Sequence, residues 1–186
     1  MSSLHHLPDR LERRPMGLDE YLALPEGIHA EYVDGVAIVS PPAASGHNTT
    51  QRRVANALEA GLSGEVHVRT EAGWQAGDRY RIPDVAVFTT KDPDIVYDQT
   101  TPILVVEVLS PSTASEDTVR KSTEYLAAGV SQYWIVDRVN RSLVVYANTG
   151  DGWDPILELD ADHPAATVIV GDWGEVELDL ESLLRP

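Results

Sequence analysis

The chain predicts a single α/β (α+β) domain, a mixed β-sheet flanked by helices, and three features carry that reading. Two apolar runs, Pro83–Phe88 and Ile103–Leu109, read as buried strands, the second almost continuously apolar. Two longer segments, Ser45–Leu62 and Thr113–Ala128, place side chains at helical spacing instead. Strands before, between and after these helices are the order that a layered sheet with helices against it requires. At 186 residues there is room for one such domain, and about 70% of its unfolded surface can leave water.

Residues 1–16 hold Pro8, Pro15 and several charges without periodic apolar content, so they are expected to form a loosely held, flexible leader. The domain is expected over 17–186. Leu18, Tyr21, Leu22 and Leu24 form a short amphipathic helix that Pro25 and Gly27 stop. Asp34–Gly35 between two β-prone runs is a strong hairpin signal, and it puts Glu31 on a strand. Val54, Ala55, Ala57 and Leu58 give the first long helix its apolar face, with Gly61 and Gly64 closing it. Residues 64–82 turn around Gly73 and Gly77 as further hairpin strands. In the second helix Asp117, Lys121, Glu124 and Tyr125 share helical spacing, and Gly129 ends it. Gln132–Asp137 and Leu143–Tyr146 form two more strands joined by a tight connection. The remainder is expected to be peripheral: short strands at Trp153–Leu159 and Thr167–Val170, and a closing helical turn capped by Asp179.

Composition bounds the function. Thirty acidic against 14 basic residues give a formal charge of -16, which repels a polyanion over most of the surface. Nucleic-acid binding would then have to be local or metal-assisted. Cysteine is absent, which removes disulfides, thiolate zinc sites and cysteine nucleophiles together. No apolar run approaches a membrane span, and the first residues lack a secretory apolar segment, so a cytoplasmic location is expected. Phosphate loops, dinucleotide turns, zinc-protease helices and serine elbows are excluded because their residues are not in the chain.

Acidic residues inside apolar strands are the informative pattern. Glu107 stands in Ile-Leu-Val-Val-Glu-Val-Leu, where an ionised carboxylate loses several kcal/mol of hydration unless a cation or donors replace the water. Asp84 opens the other buried strand. Neighbouring strands would bring the two carboxylates to one edge, where they either hold a divalent ion or are satisfied separately, Glu107 by an arginine and Asp84 as a turn cap. Oxygen ligands of this kind favour Mg²⁺ or Mn²⁺ over zinc. Lys121, one of only two lysines, either serves the same pocket or forms a surface pair with Asp117. The other lysine, Lys91, is expected in solvent. His47 is either a phosphate or proton-transfer group or a helix-start contact. Tyr125 is read as packing on the sheet, Trp134 as core, and Gln132 as reaching toward the cleft. Ser110 and Ser112 are read as turn residues, and Arg52 and Arg53 as a solvated face.

Taken in order, Glu31-Tyr32-Val33-Asp34-Gly35, Pro41-Pro42 with His47 downstream, Pro83-Asp84-Val85, Val106-Glu107-Val108-Leu109-Ser110-Pro111-Ser112, Asp117 with Lys121 and Tyr125, and Gly129 through Asp137 resemble the Uma2-like branch of the PD-(D/E)XK nuclease superfamily. The resemblance spans roughly Leu18 to Tyr146 and implies a restriction-endonuclease-like fold. It further implies that Asp84 and Glu107 are metal carboxylates, with the main-chain carbonyl of Val108 as a further ligand and Mg²⁺ or Mn²⁺ as the cofactor. Glu31 matches the additional N-terminal acid. The plain motif would put a lysine at Leu109, on the same strand face as Glu107, so Lys121 is implied as its relocated counterpart. Implied function is a metal-dependent endonuclease acting on nucleic acid, with DNA as the expected substrate, no membrane partner and a homodimer as the expected assembly. The alternatives are a catalytically silent nuclease-like binding or dimerisation module, and a hydrolase of another phosphorylated substrate.

Overall fold

A computed structural model describes residues 8–25, 27–92, 94–110 and 116–185, of which 116–118 by backbone alone. In chain order the elements are β1 (Glu12–Pro15), α1 (Leu18–Leu22), β2 (Ala30–Val33), β3 (Val36–Val39), α2 (Ser45–Gly61), β4 (His67–Thr70), β5 (Gly73–Ala76), β6 (Arg79–Arg81), β7 (Val85–Phe88), β8 (Tyr97–Asp98) and β9 (Leu104–Leu109). A π-helical turn (Glu116–Lys121), α3 (Ser122–Ala127), β10 (Gln132–Asp137), β11 (Ser142–Asn148), β12 (Trp153–Leu159), β13 (Ala165–Val170), β14 (Gly174–Asp179) and α4 (Leu180–Leu184) follow.

The expected α+β class holds, and the single mixed sheet resolves into two six-stranded sheets and a separate hairpin. The central sheet runs β12-β11-β10-β9-β7-β4, with β9 parallel to β10 and antiparallel to β7. β9 is apolar throughout except Glu107 because both of its faces are covered. Val85, Val87, Leu104, Val106, Val108, Trp134 and Val136 on one face pack against Val54, Ala55 and Leu58 of α2. Ala86, Phe88, Val105 and Tyr133 on the other meet Tyr125 of α3 and Trp74 of the second sheet. The period of two along β9 therefore sends Glu107 toward α3.

The second sheet, β1-β3-β2-β6-β5-β8, is small, and its core is a tyrosine cluster. Tyr21 stacks on Tyr32 with centroids 5.1 Å apart, and Tyr80 meets Tyr97 edge-on at 4.9 Å. Its β2–β3 hairpin turns through Asp34 and Gly35 at φ 52° and 80°, both left-handed, the two-residue turn whose twist matches the strands. That pins the register in which Glu31 faces Ile38.

Four differences from the sequence reading have physical causes. Glu12–Pro15, expected within the loose leader, pairs with β3 from Glu12↔Val39 to Pro15↔Val36; Pro15 sits at an edge, where its missing N–H is tolerated. Of residues 64–82, β5 and β6 pair as a hairpin, but β4 crosses to β7 in the other sheet. The second long helix is a π turn leading into six α residues, and its expected first residues, Thr113–Ser115, lie outside the described residues. Finally, the C-terminal segment is core: Val168, Val170, Val176, Leu178, Leu180 and Leu183 are all buried against α2 and the central sheet. Gly61 and Gly174 permit that contact, since a Cβ on Gly61 would stand 2.4 Å from the Glu175 carbonyl oxygen and one on Gly174 2.3 Å from that of Gly61. Asp179 caps α4 as expected, its carboxylate accepting the Ser182 N–H at 2.7 Å. Among the described residues, no helix is long and apolar enough to cross a membrane.

Candidate active site

Asp84 and Glu107 meet because β7 and β9 are antiparallel neighbours. The last paired residues are Val85 and Val106, so one step further Asp84 comes opposite Glu107. Asp84 lies just before β7, where it caps the gap in the ladder: its Oδ2 accepts the Val108 N–H at 2.6 Å. In an antiparallel strand a residue's N–H and C=O project to the same side. The Val108 carbonyl consequently faces the Asp84 edge as well. Gln51 of α2 donates to the Asp84 main-chain oxygen at 2.7 Å, holding the entry to β7 against the helix.

Glu107 is 2% exposed and the structure compensates it with donors. Lys121 Nζ is 3.1 Å from its Oε1, and the Tyr125 hydroxyl donates to the same oxygen at 2.6 Å. Lys121 and Tyr125 are four residues apart, which places both on the helical face toward β9. Tyr125 thus packs as expected, between Trp74 and Tyr133, and also binds Glu107. Burial, with the Glu107 charge adding to it, pushes its phenol well above the usual range, so it remains a donor at neutral pH.

Lys121 also approaches Glu31 Oε1 at 3.1 Å. Glu31 in turn accepts from Arg81 Nη1 at 3.0 Å and from the Ile82 N–H at 2.8 Å. Burial raises the Glu31 carboxyl, but Lys121, Arg81 and the Ile82 amide outweigh it and hold the group below its ordinary value. Arg81, wholly buried, is shared with Glu124 through bonds of 2.7 and 2.8 Å. Its two carboxylate partners more than offset the burial that lowers its affinity for a proton. Glu124 also lies 3.5 Å from Arg79 and from Arg120, and Lys121 is shared between Glu31 and Glu107.

All four residues expected at the site, Glu31, Asp84, Glu107 and Lys121, line one cleft of about 430 Å³. Leu109 lines it too, so the strand position two beyond Glu107 does face the cleft, and Lys121 enters from the helical segment instead. The pairing of Lys121 with Asp117 lies outside the described side chains, as do Pro111 and Ser112. His47 also joins the site: its Nε2 is 3.0 Å from Asp84 Oδ1. Burial lowers the imidazole's affinity for a proton, but the hydrogen bond and charge of Asp84 overcome it and raise the group.

Other assignments change or stand. Gln132 does not reach the cleft; its amide donates to Ile169 and accepts from Trp134, tying β10 to the C-terminal hairpin. Trp134 is core as expected. Arg52 is exposed as expected, and the partly exposed Arg53 also donates to the carbonyls of Leu183 and Arg185. Lys91 is exposed and pairs with Glu65 at the surface. Arg81 and Glu124 carry no recognisable motif, and Gln51 is one polar residue on a polar helix.

The oxygen donors suit a hard divalent ion. Among the described residues no group of three or more acidic or histidine side chains is gathered as a ready-made cage. Magnesium, however, typically takes one or two carboxylates and keeps several waters, which Asp84, Glu107 and the Val108 carbonyl can satisfy.

The fold is α+β, with a mixed central sheet whose neighbouring strands bring two carboxylates into one cleft with a helix-borne lysine. The chain belongs to the Uma2 family, described as "Putative restriction endonuclease", which matches residues 18–173. A crystal structure from Anabaena variabilis ATCC 29413, described as a "putative nuclease belonging to DUF820", has the same fold: its TM-score is 0.75 and its identity 23%, over 91% of this chain and 98% of that one. Among curated proteins nothing matches the chain.

Proposed function

We propose that the protein is a Mg²⁺- or Mn²⁺-dependent endonuclease that hydrolyses phosphodiester bonds of nucleic acid, DNA being the substrate to test first. The observation that carries the reading is the juxtaposition of Asp84 and Glu107 on adjacent strands with the Lys121 ammonium 3.1 Å from Glu107. Asp84, Glu107 and the Val108 carbonyl would hold the metal. When bound, the ion supplies Lewis acidity to a phosphoryl oxygen and acidity to a coordinated water.

The chain's own residues supply the rest. Lys121, clamped between Glu31 and Glu107, keeps its positive charge at a fixed place beside the cleft, where charge on an oxyanion can be offset without reorganisation. Glu31, ionised and anchored by Arg81 and the Ile82 amide, sets the position of that ammonium. Tyr125 orients the Glu107 carboxylate by donating to it. His47, bonded to Asp84 at the cleft wall, steers that carboxylate's rotamer.

Calorimetric titration of Mn²⁺ into the wild-type protein and Asp84→Asn tests the site before a substrate is chosen. Binding by the wild type that is lost in the variant is expected, and equal binding by both would remove Asp84 from the metal site. Cleavage assays on plasmid, single-stranded DNA, RNA and nucleotides then test the substrate class. Hydrolysis of nucleotides alone would overturn the polymer assignment, and cleavage undiminished in Asp84→Ala would overturn the mechanism.

A further inference from the structure

The basic side chains already placed at the acidic cluster are committed to carboxylates: Lys121 to Glu31 and Glu107, Arg81 to Glu31 and Glu124. A polyanionic substrate approaching a chain of charge -16 needs a cation that is not so engaged. Arg138 lines the same cleft, and among the described residues it forms no ion pair or hydrogen bond. The residue is half-buried at the cleft wall.

Two features of the fold hold Arg138 in place. The turn that follows β10 is tied by Asp137, whose Oδ1 accepts the Val139 and Asn140 N–H groups, both at 2.9 Å, and whose Oδ2 accepts the Asn140 side-chain amide at 2.7 Å. The guanidinium itself lies against Gly46 in α2. A Cβ on Gly46 would stand 2.1 Å from Arg138 Nη2 and 2.9 Å from its Cζ, so a side chain there would push the guanidinium out of its present position. The Arg138 charge is also felt by the neighbouring His47, where it opposes the upward pull of Asp84.

We propose that Arg138, seated over Gly46 at the wall of the cleft, is the substrate-binding residue that grips a backbone phosphate of the nucleic acid. The planar fork of a guanidinium matches two phosphate oxygens at once, which an ammonium does not. This inference rests on the nuclease reading for its substrate, but the phosphate contact can be tested apart from cleavage.

The experiment measures two bindings with the full chain, wild type against Arg138→Gln, Arg138→Lys and Gly46→Ala. A short fluorescein-labelled DNA duplex is titrated by anisotropy in Ca²⁺ across a range of salt, and inorganic phosphate is titrated by calorimetry. Arg138→Gln is expected to weaken the duplex roughly tenfold or more and to reduce the salt slope by about 0.9, the value of one phosphate contact. Arg138→Lys should keep most of the slope while losing affinity. Gly46→Ala favours the helix and removes no charge, so weakened binding in a folded Gly46→Ala protein identifies displacement of Arg138 as the cause. Equal affinity and slope for wild type and Arg138→Gln would overturn the proposal while leaving the nuclease reading intact. If the wild type binds no duplex but binds phosphate, and Arg138→Gln does not, the phosphate grip stands and duplex DNA is removed as its ligand. If the wild type binds neither, the proposal falls, and the cleavage assays on single-stranded DNA and RNA decide the nuclease reading separately.

Discussion

Replacing Lys121 with methionine removes one charge and keeps much of the side chain's apolar stem. Lys121 is 6% exposed, and its ammonium lies 3.1 Å from both Glu31 and Glu107. Breaking a buried ion pair by deleting one partner costs about 3–5 kcal/mol. The lower end applies here, because Glu31 keeps Arg81 and the Ile82 amide, and Glu107 keeps the Tyr125 hydroxyl. A loss of about 3 kcal/mol against a urea slope of about 1–3 kcal/mol per molar shifts the unfolding midpoint by roughly 1 M or more. Buried Trp74 and Trp134 report the transition by fluorescence. The deficit should shrink in acid, where protonation removes the uncompensated negative charge. Adding Glu107→Gln to Lys121→Met should recover part of the loss by removing the uncompensated charge. A midpoint within about 0.3 M of wild type at neutral pH would show that the lysine does not compensate these acids, since it would put the cost below about 1 kcal/mol.

Tyr125→Phe deletes a donor to a buried carboxylate and is expected to cost about 1.5–3 kcal/mol in the same assay; an unchanged midpoint would mean Glu107 does not depend on that hydroxyl. Leu178→Ala, in the C-terminal hairpin, should cost about 2–5 kcal/mol if that hairpin is core, whereas a peripheral segment would lose a few tenths. Glu31 is held below its ordinary value, so it binds fewer protons folded than unfolded near pH 4. Its contribution to stability is therefore complete above the ordinary carboxylate range and disappears as pH falls through its lowered folded value. Comparing Glu31→Gln with wild type by urea unfolding at pH 7 and at strongly acid pH should show a stability gap that closes in acid, and a gap independent of pH would contradict the assignment. If Lys121 offsets charge during hydrolysis, turnover by Lys121→Met should fall by about 10²–10³, measured under saturating metal.

What could be read in the one-dimensional chain was whatever local physics dictates. Nearly continuous apolar runs rich in β-branched residues marked β7 and β9, and a β-prone run marked β10. Asp34–Gly35 marked its hairpin, and helical spacing with a glycine stop marked α2. A carboxylate in the middle of Ile103–Leu109 announced that something must compensate it, because no other part of that strand is polar. Tertiary structure decided what compensates it. Lys121 and Tyr125 lie 14 and 18 residues away from Glu107, and Glu31 lies 50 from Arg81; no local pattern encodes such pairings, since they arise only when β2, β6 and α3 are packed against β9. The same holds for the C-terminal segment, where the sequence marked a strand at Thr167–Val170 but neither its partner β14 nor the burial of both, and for the split into two sheets, which depends on β4 and β5 choosing different partners. Arg138 is the sharpest instance: in the chain it is one arginine in a polar turn, and the approach of that turn to Gly46 of α2 puts its guanidinium at the cleft, where among the described residues it forms no ion pair. Local propensity acts over a few residues, whereas burial and charge pairing depend on which distant surfaces meet.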